Sequence, residues 1–411
     1  MTTDIRASLD HCVKCTICET YCPVSAATPL FPGPKYVGPQ AERFRSEEAS
    51  VDESLDYCSG CGICSQVCPQ GVKIAEINAR ARERMKAQRG VPLRDRVIAR
   101  PSASARLATP VAPLANLALA SPVLRYLAES VIGVHRKAPL PRFASRTFQK
   151  RHRRRSPADS FRPQPAPAKS AKVVYFHGCG VNFFEPRLGE MAVAVLERNG
   201  FEVVVPPQDC CGLPLQSNGL FSDARAYVRR LAANLAPYAR AGIPIVSTST
   251  SCSLMLKREA HEILGEDSED LAVVSEQMYD ICELLAGLLG RGELDTRFQP
   301  LSMTVPYHAP CQQRGHGIGS PALDLLELIP GLEVLEQDAQ CCGIAGTYGL
   351  KKEKYDIAMA VGRPLFESIS ELGATIAACD SETCRWQIAH ATGVPVVHPI
   401  ELLHRAYVGE K

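Results

Sequence analysis

The chain has 411 residues, 45 % of them hydrophobic, which is enough for two or three domains with cores of their own. Its 18 cysteines would suit a disulfide scaffold in a short secreted chain. The opening MTTDIRASLDHC, however, has neither a charged n-region nor an apolar h-region, so they are expected to be metal ligands or redox groups in a reducing compartment. The net charge of +2 hides a block of nine Lys/Arg and no acid between Val131 and Pro157, and removing that block leaves the rest of the chain at −7.

Two cysteine runs come first: Cys12, Cys15, Cys18, Cys22-Pro23 and Cys58, Cys61, Cys64, Cys68-Pro69. Each has the spacing C-x2-C-x2-C-x3-C-P, the bacterial-type ligand run for a [4Fe-4S] cluster. Three thiolates in one tight loop reach three corners of a cubane, and the fourth, displaced onto a following helix, serves the neighbouring cluster. This assigns Cys12, Cys15, Cys18 and Cys68 to one cluster and Cys22, Cys58, Cys61 and Cys64 to a second, close enough to exchange electrons. Zinc is satisfied by four ligands in pairs and does not require the third step or the repeated Cys-Pro. Between the runs, Thr28 to Pro39 is dense in Pro and Gly and reads as a fixed-shape loop beside a cluster. Pro39 to Tyr57 reads as helix, and Ile74 to Arg89 as a helix closed by Gly90. Residues 1–95 are therefore expected to be a mostly helical ferredoxin domain.

Residues 96–170 form a segment of different character. Leu107 to Leu124 carries no charge, yet Pro110, Pro113 and Pro122 break it, and Arg125 and Glu129 follow directly, which argues against a spanning helix. Short apolar helices followed by the basic block predict an interfacial segment on an anionic membrane surface. A face for a partner protein or a solvated linker would give the same pattern. Pro157 to Lys169 reads as a Pro/Ala/Ser linker.

From Lys172 strands and helices alternate, and the series starts again at Met303, which predicts parallel sheets with crossover helices in two modules, 171–295 and 296–411. The cysteines set the register. Cys179 matches Cys311, Cys210-Cys211-Gly212 matches Cys341-Cys342-Gly343, and Cys252 matches Cys384, at offsets of 132, 131 and 132. All eight fall at the carboxyl ends of parallel strands, where open α/β sheets place ligands. Adjacent cysteines pair poorly with each other but can ligate one centre, so each module could hold an iron–sulfur centre or the two could share one. Thiols left vestigial, or redox-active without metal, are the alternative. Cys282 has no counterpart and reads as a small core residue, Cys379 is undecided, and His177 and His308 read as structural donors.

A helical ferredoxin followed by two CCG modules resembles the iron–sulfur subunits of the heterodisulfide reductase, glycolate oxidase and lactate oxidase group. Within it, CPVSAATPLFPGPKYVGPQAERFR, CSGCGICSQVCPQGVKI, APLPRFASRTFQKRHRR and CDSETCRWQI resemble the C-subunit family of anaerobic sn-glycerol-3-phosphate dehydrogenases. That resemblance implies a non-catalytic electron carrier at the cytoplasmic face of the inner membrane. It would take electrons from flavin-containing A and B subunits and pass them to menaquinone while helping to anchor the complex. No G-x-G-x-x-G follows a strand, which agrees with a flavin lying elsewhere. The wider group ends each module with C-x-x-C, whereas Met255 and Gln387 stand at the second position here, so an independent disulfide or quinone reductase activity is the alternative rather than the first reading. A membrane anchor without electron flow is the structural alternative. A nucleic-acid partner is not expected, since the basic block lacks interleaved aromatics beyond Phe143 and Phe148.

Overall fold

The computed structural model describes Ile5 and residues 7–45, 53–155, 171–339 and 341–409. In the ferredoxin part each cysteine triad winds into a one-turn helix, Ile17–Thr20 or Ile63–Gln66. The two loops share one backbone path. Lys14 and Thr16 in the first and Gly60 and Gly62 in the second all have left-handed φ, between 60° and 81°. Such a residue on either side of the middle thiol reverses the chain so that all three thiols point inward. Helix α1 (Ile74–Arg89) follows and ends at Gly90, as the sequence predicts. Ser65 ties it to the second triad, donating to Glu76 Oε2 at 2.6 Å and accepting from the Ala75 amide at 2.8 Å.

The helix expected over Pro39 to Tyr57 is not continuous. A π-helical turn at Tyr36–Gln40 and a 3-10 turn at Glu53–Tyr57 occupy its ends, and residues 46–52 lie outside the described residues. Gly38, with φ −94° and ψ −105°, breaks the helical path, and its backbone sits against Asn78 and Ile74 of α1, where an added Cβ would lie 3.0 Å from Asn78 Oδ1.

Three helices with a proline in their first two positions follow: α2 (Pro101–Ala108), α3 (Ala112–Ala120) and α4 (Pro122–Val131). The chain bends by 87° between Pro101–Ala120 and Pro122–Val131, and no single helix among the described residues is long and apolar enough to cross a membrane. Leu107, Leu114, Leu117, Val123, Leu127 and Val131 are all exposed. The chain then returns as an extended strap. Asn116 holds it, donating to Phe143 O at 2.9 Å and accepting from Phe143 N at 2.8 Å. The basic block is largely folded onto the next module rather than free. Phe148 is fully buried against Gly189, and Arg155 makes a two-pronged ion pair with Glu197 at 2.7 and 2.8 Å.

Each module is a four-stranded parallel sheet. Strands β1 (Ala171–Tyr175), β2 (Phe201–Val204), β3 (Ile245–Ser247) and β4 (Met278–Asp280) lie in the order β2-β1-β3-β4. Strands β5 (Met303–His308), β6 (Leu332–Glu336), β7 (Ala377–Cys379) and β8 (Val396–Val397) repeat it as β6-β5-β7-β8. The apolar runs of β1 and β5 are central, as buried parallel strands should be, and Val173 pairs with Val203 as Val305 does with Val334. The crossover helices are α5 (Pro186–Arg198) and α6 (Phe221–Arg240), with α7 (Ile281–Gly290) closing the first module. Their counterparts are α8 (Pro321–Leu326), α9 (Tyr355–Glu371) and α10 (Pro399–Val408).

Closing helices α7 and α10 each start with a capping box, Asp280 with Glu283 and His398 with Glu401. Both pack across onto the other module, α10 on α5 and α7 on α8. One apolar core containing Val173, Leu196, Leu285, Val305, Leu325 and Leu403 therefore runs through both modules.

Candidate iron–sulfur site

In the ferredoxin part the thiols gather in two groups. Cys18 lies under the influence of Cys68, Cys12 and Cys15, and Cys64 under that of Cys61, Cys58 and Cys22. Burial first, then Glu19 and the neighbouring thiols, push Cys18 up to about 11. Cys22, Cys58, Cys61 and Cys64 share a small cavity closed by Phe31 and Pro34, which puts the Pro/Gly loop beside this thiol set.

In each module the CCG sequence does identifiable work. Its glycine has φ +88° at Gly212 and +86° at Gly343, a conformation open to residues without a Cβ. That turn brings the Gly343 amide back to donate to Cys341 Sγ at 3.3 Å. The thiols are strung in the same order in both copies: Cys179, Cys210, Cys211, Cys252 and Cys311, Cys341, Cys342, Cys384. Cys179 and Cys210 are 3.8 Å apart and Cys342 and Cys384 3.0 Å. Hydrogen bonds from Cys179 and Cys211 hold Cys210 well below the usual thiol range, and those from Cys311 and Cys342 do the same for Cys341. The donors themselves are pushed up by the same bonds and by burial.

All eight of these cysteines line one cavity of about 170 Å³, and Cys61 of the ferredoxin part lines it too. The spacing of the cysteines alone does not bring Cys61 there. The ferredoxin part is docked by buried charge. Lys354 donates to Asp56 Oδ2 at 2.7 Å, Lys351 to Asp95 Oδ2 at 3.0 Å, and Arg82 to the Ser217 carbonyl at 3.4 Å.

Three residues that the sequence left aside belong to the site or its edge. Cys379 hydrogen-bonds Cys384, giving the second module a fifth thiol where the first has Ser247. His308 is fully buried, its two ring nitrogens have no partner, and it lies with the Cys342 and Cys384 sulfurs in a group whose ligand atoms are within 4.8 Å of one another. His177 bonds the Gly178 carbonyl through Nδ1 at 2.7 Å and leaves Nε2 buried without a partner. Strand register could have flagged the histidines, since each precedes the first thiol of its module. Cys282 is a core residue, as expected, and donates to Asp380. The two departures from C-x-x-C are filled and buried. Met255 joins an apolar core, and Gln387 Nε2 lies 3.3 Å from Met359 Sδ.

Soft thiolates in this number, enclosed with partnerless imidazole nitrogens, fit iron–sulfur centres and not a hard cation. Fold and thiols together define an iron–sulfur protein of the ferredoxin-plus-cysteine-rich-module class. Residues 8–72 match the 4Fe-4S dicluster domain, and residues 173–257 and 305–389 each match the cysteine-rich domain.

The chain belongs to the C-subunit family of anaerobic glycerol-3-phosphate dehydrogenases. It is 39 % identical to the C subunit of the Escherichia coli enzyme over 409 residues, covering 97 % of this chain and 98 % of the relative. More distant relatives include the B subunit of the fumarate reductase (CoM/CoB) of Methanothermobacter marburgensis, 31 % identical over 58 % of this chain and 47 % of that one. Lactate utilization protein A of Geobacillus thermodenitrificans is 29 % identical over 58 % of this chain and 98 % of its own length.

Proposed function

We propose that this chain is the electron-carrying subunit of a glycerol-3-phosphate dehydrogenase complex. It would take electrons from flavin-containing A and B subunits and deliver them to menaquinone. The carrying observation is that Cys61 lines the same cavity as the eight module cysteines, which supports a continuous line of thiol sets through the protein. In this reading Cys12, Cys15, Cys18 and Cys68 hold one [4Fe-4S] cluster, and Cys22, Cys58, Cys61 and Cys64 hold the next. Cys179, Cys210, Cys211, Cys252, Cys311, Cys341, Cys342 and Cys384 hold one or two further centres. Such centres supply one-electron chemistry when bound. The chain's own part is to gather the thiols, exclude water through Phe31, Leu254 and Ile344, and keep the sets adjacent.

The division into 1–95, 96–170, 171–295 and 296–411 follows as a working assignment: dicluster domain, docking segment and two modules. The exposed apolar side chains of α2, α3 and α4 support attachment of the complex to the cytoplasmic face of the inner membrane. Arg155 is committed to Glu197, so lipid attraction rests on apolar insertion and on the exposed Arg153 and Arg154.

The test is iron and acid-labile sulfide per chain on anaerobically purified protein, with EPR of the reduced and oxidised states. More iron than about eight per chain, with signals lost on replacing Cys210, Cys211, Cys341 and Cys342 by Ser, supports the continuous line. About eight irons with only cubane signals would confine electron flow to residues 1–95. Cys15→Ser is expected to abolish quinone reduction by the assembled complex while leaving flavin reduction intact.

A further inference from the structure

A second cavity, of about 260 Å³, opens where α2 and the basic strap meet the first module. Its walls include Thr109, Pro110, Lys150, Arg153, His177 and Phe183. Among the described residues, Cys179 is the one cysteine that lines both this cavity and the cavity of the eight module thiols.

We propose that this cavity is the headgroup site for a lipid-borne quinone, which receives its electrons across Cys179. The proposal rests on the reading above, in which the thiols hold redox centres, and adds the exit from that line.

Three features of the cavity select the ligand. The first is position. Thr109 and Pro110 stand in the cavity wall, while Leu107 and Val111 beside them, and Leu114 a turn further on, are exposed. The mouth therefore opens next to the apolar face by which the protein would meet a bilayer, the direction from which a ligand with an isoprenoid tail arrives.

The second is the hydrogen-bonding inventory. The two ring oxygens of a quinone accept hydrogen bonds, and those of the quinol also donate. The cavity offers donors in Lys150 and Arg153, which make no ion pair within the described residues. The remaining wall charges are matched, Asp209 being paired with Arg106 at 2.8 Å and Arg230 at 3.6 Å. It also offers an acceptor. Because Nδ1 of His177 bonds the Gly178 carbonyl, its proton sits on Nδ1 and Nε2 presents a lone pair. A site with donors and one buried acceptor suits both members of a quinone–quinol couple, and Phe183 and Pro110 supply apolar wall for the ring.

The third is contact with the electron line. Cys179 is half-buried, whereas Cys210, Cys211 and Cys252 are buried, so it is the first module's outward-facing thiol. Reduction would add two electrons, which a centre held by Cys179 would supply one at a time, and two protons, drawn from water at the mouth, to the two ring oxygens. No bond to the protein forms or breaks.

The test uses the assembled complex and direct binding, not turnover. A hydroxyquinoline N-oxide, whose headgroup mimics a naphthoquinol, is titrated by its fluorescence into wild type, Pro110→Trp and Lys150→Glu. Pro110 and Lys150 are both exposed, so neither change disturbs a core. Binding to the wild type that weakens at least tenfold in Pro110→Trp, and measurably in Lys150→Glu, is the expected result, with no displacement by millimolar inorganic phosphate. Unchanged binding in both variants overturns this site while leaving the electron-carrier reading intact. A wild-type complex that binds no analogue but carries the full complement of iron overturns the quinone as acceptor, and the site with it. Displacement by phosphate would mark a general anion site and also overturn the proposal.

Discussion

The two CCG glycines are equivalent in sequence and unequal in space, which gives the sharpest prediction. An added Cβ at Gly212 would lie 3.1 Å from the Ala224 carbonyl oxygen, a contact relieved by a shift of a few tenths of an ångström. At Gly343 it would lie 1.9 Å from the Ala358 carbonyl oxygen, and reaching an ordinary contact of 3.4 Å needs about 1.5 Å of separation. The obstacle is the backbone of α9, which also touches the Cys342 carbonyl through Gly362, where a Cβ would meet that oxygen at 2.4 Å. Both substitutions carry the left-handed φ cost of about 1 kcal/mol. Only Gly343→Ala adds the overpacking of a rigid backbone contact, roughly 2–3 kcal/mol more. Trp386, the single tryptophan, sits in the helix Glu382–Thr392 beside this loop's thiols and reports unfolding by fluorescence. Gly343→Ala is expected to lower the urea midpoint by about 1 M or more, and Gly212→Ala by less than half as much. Equal midpoints for the two variants would refute the argument that the loop and helix pack backbone to backbone.

Glu259 stands in the wall of the thiol cavity, and burial, opposed by hydrogen bonds from Gln216 and Gln312, pushes its carboxyl from 4.5 to about 7. An acid raised on folding binds its proton more tightly in the native state. Its burial therefore costs nothing below pH 4.5, and stability falls as pH rises from 4.5 to 7, by at most roughly 3 kcal/mol. Glu259→Gln should flatten that dependence in urea melts between pH 5 and 8, and an unchanged slope would rule it out. Lys354 joins module and ferredoxin. Burial pulls its ammonium down to about 8 against the pull of Asp56. Lys354→Met should cost roughly 2 kcal/mol by removing the closer of the two lysines on Asp56, which keeps Lys86 at 3.1 Å, and Asp56→Leu in the same chain should reveal the coupling in a double-mutant cycle. On the apolar face, Leu114→Glu with Leu117→Glu should release the chain from anionic vesicles in flotation assays without lowering its urea midpoint, since both side chains are exposed.

The elements most legible in the sequence are those whose signal is local and periodic. The C-x2-C-x2-C-x3-C-P runs announce themselves by spacing. Ile74 to Arg89 has helix formers throughout and a glycine stop, and the offset of 132 between Cys179 and Cys311 finds the repeat without any structural knowledge. The edge strands β4 and β8 are too short, at three and two residues, to show a period of two. The placement of Cys379, His308 and Cys61 depends on crossovers that bring distant loops to one cavity, and no local pattern encodes it. The basic block misleads for a different reason. Its charge density reads as solvated, while Phe148 within it anchors the stretch in a core, and one buried aromatic side chain outweighs several charges that remain at the surface.

The exchange of closing helices, α10 onto α5 and α7 onto α8, has a bearing on ancestry and on engineering. Each module keeps its sheet but shares its last helix with its neighbour, so part of each apolar face is covered by the other module. Cut from the chain, a single module should pair with a second copy of itself, the exposed face of one receiving the closing helix of the other about a two-fold axis. The present chain has the form of such a pair fused end to end. Fusion frees the two halves to diverge, so that one can gain the thiol of Cys379 while the other keeps Ser247.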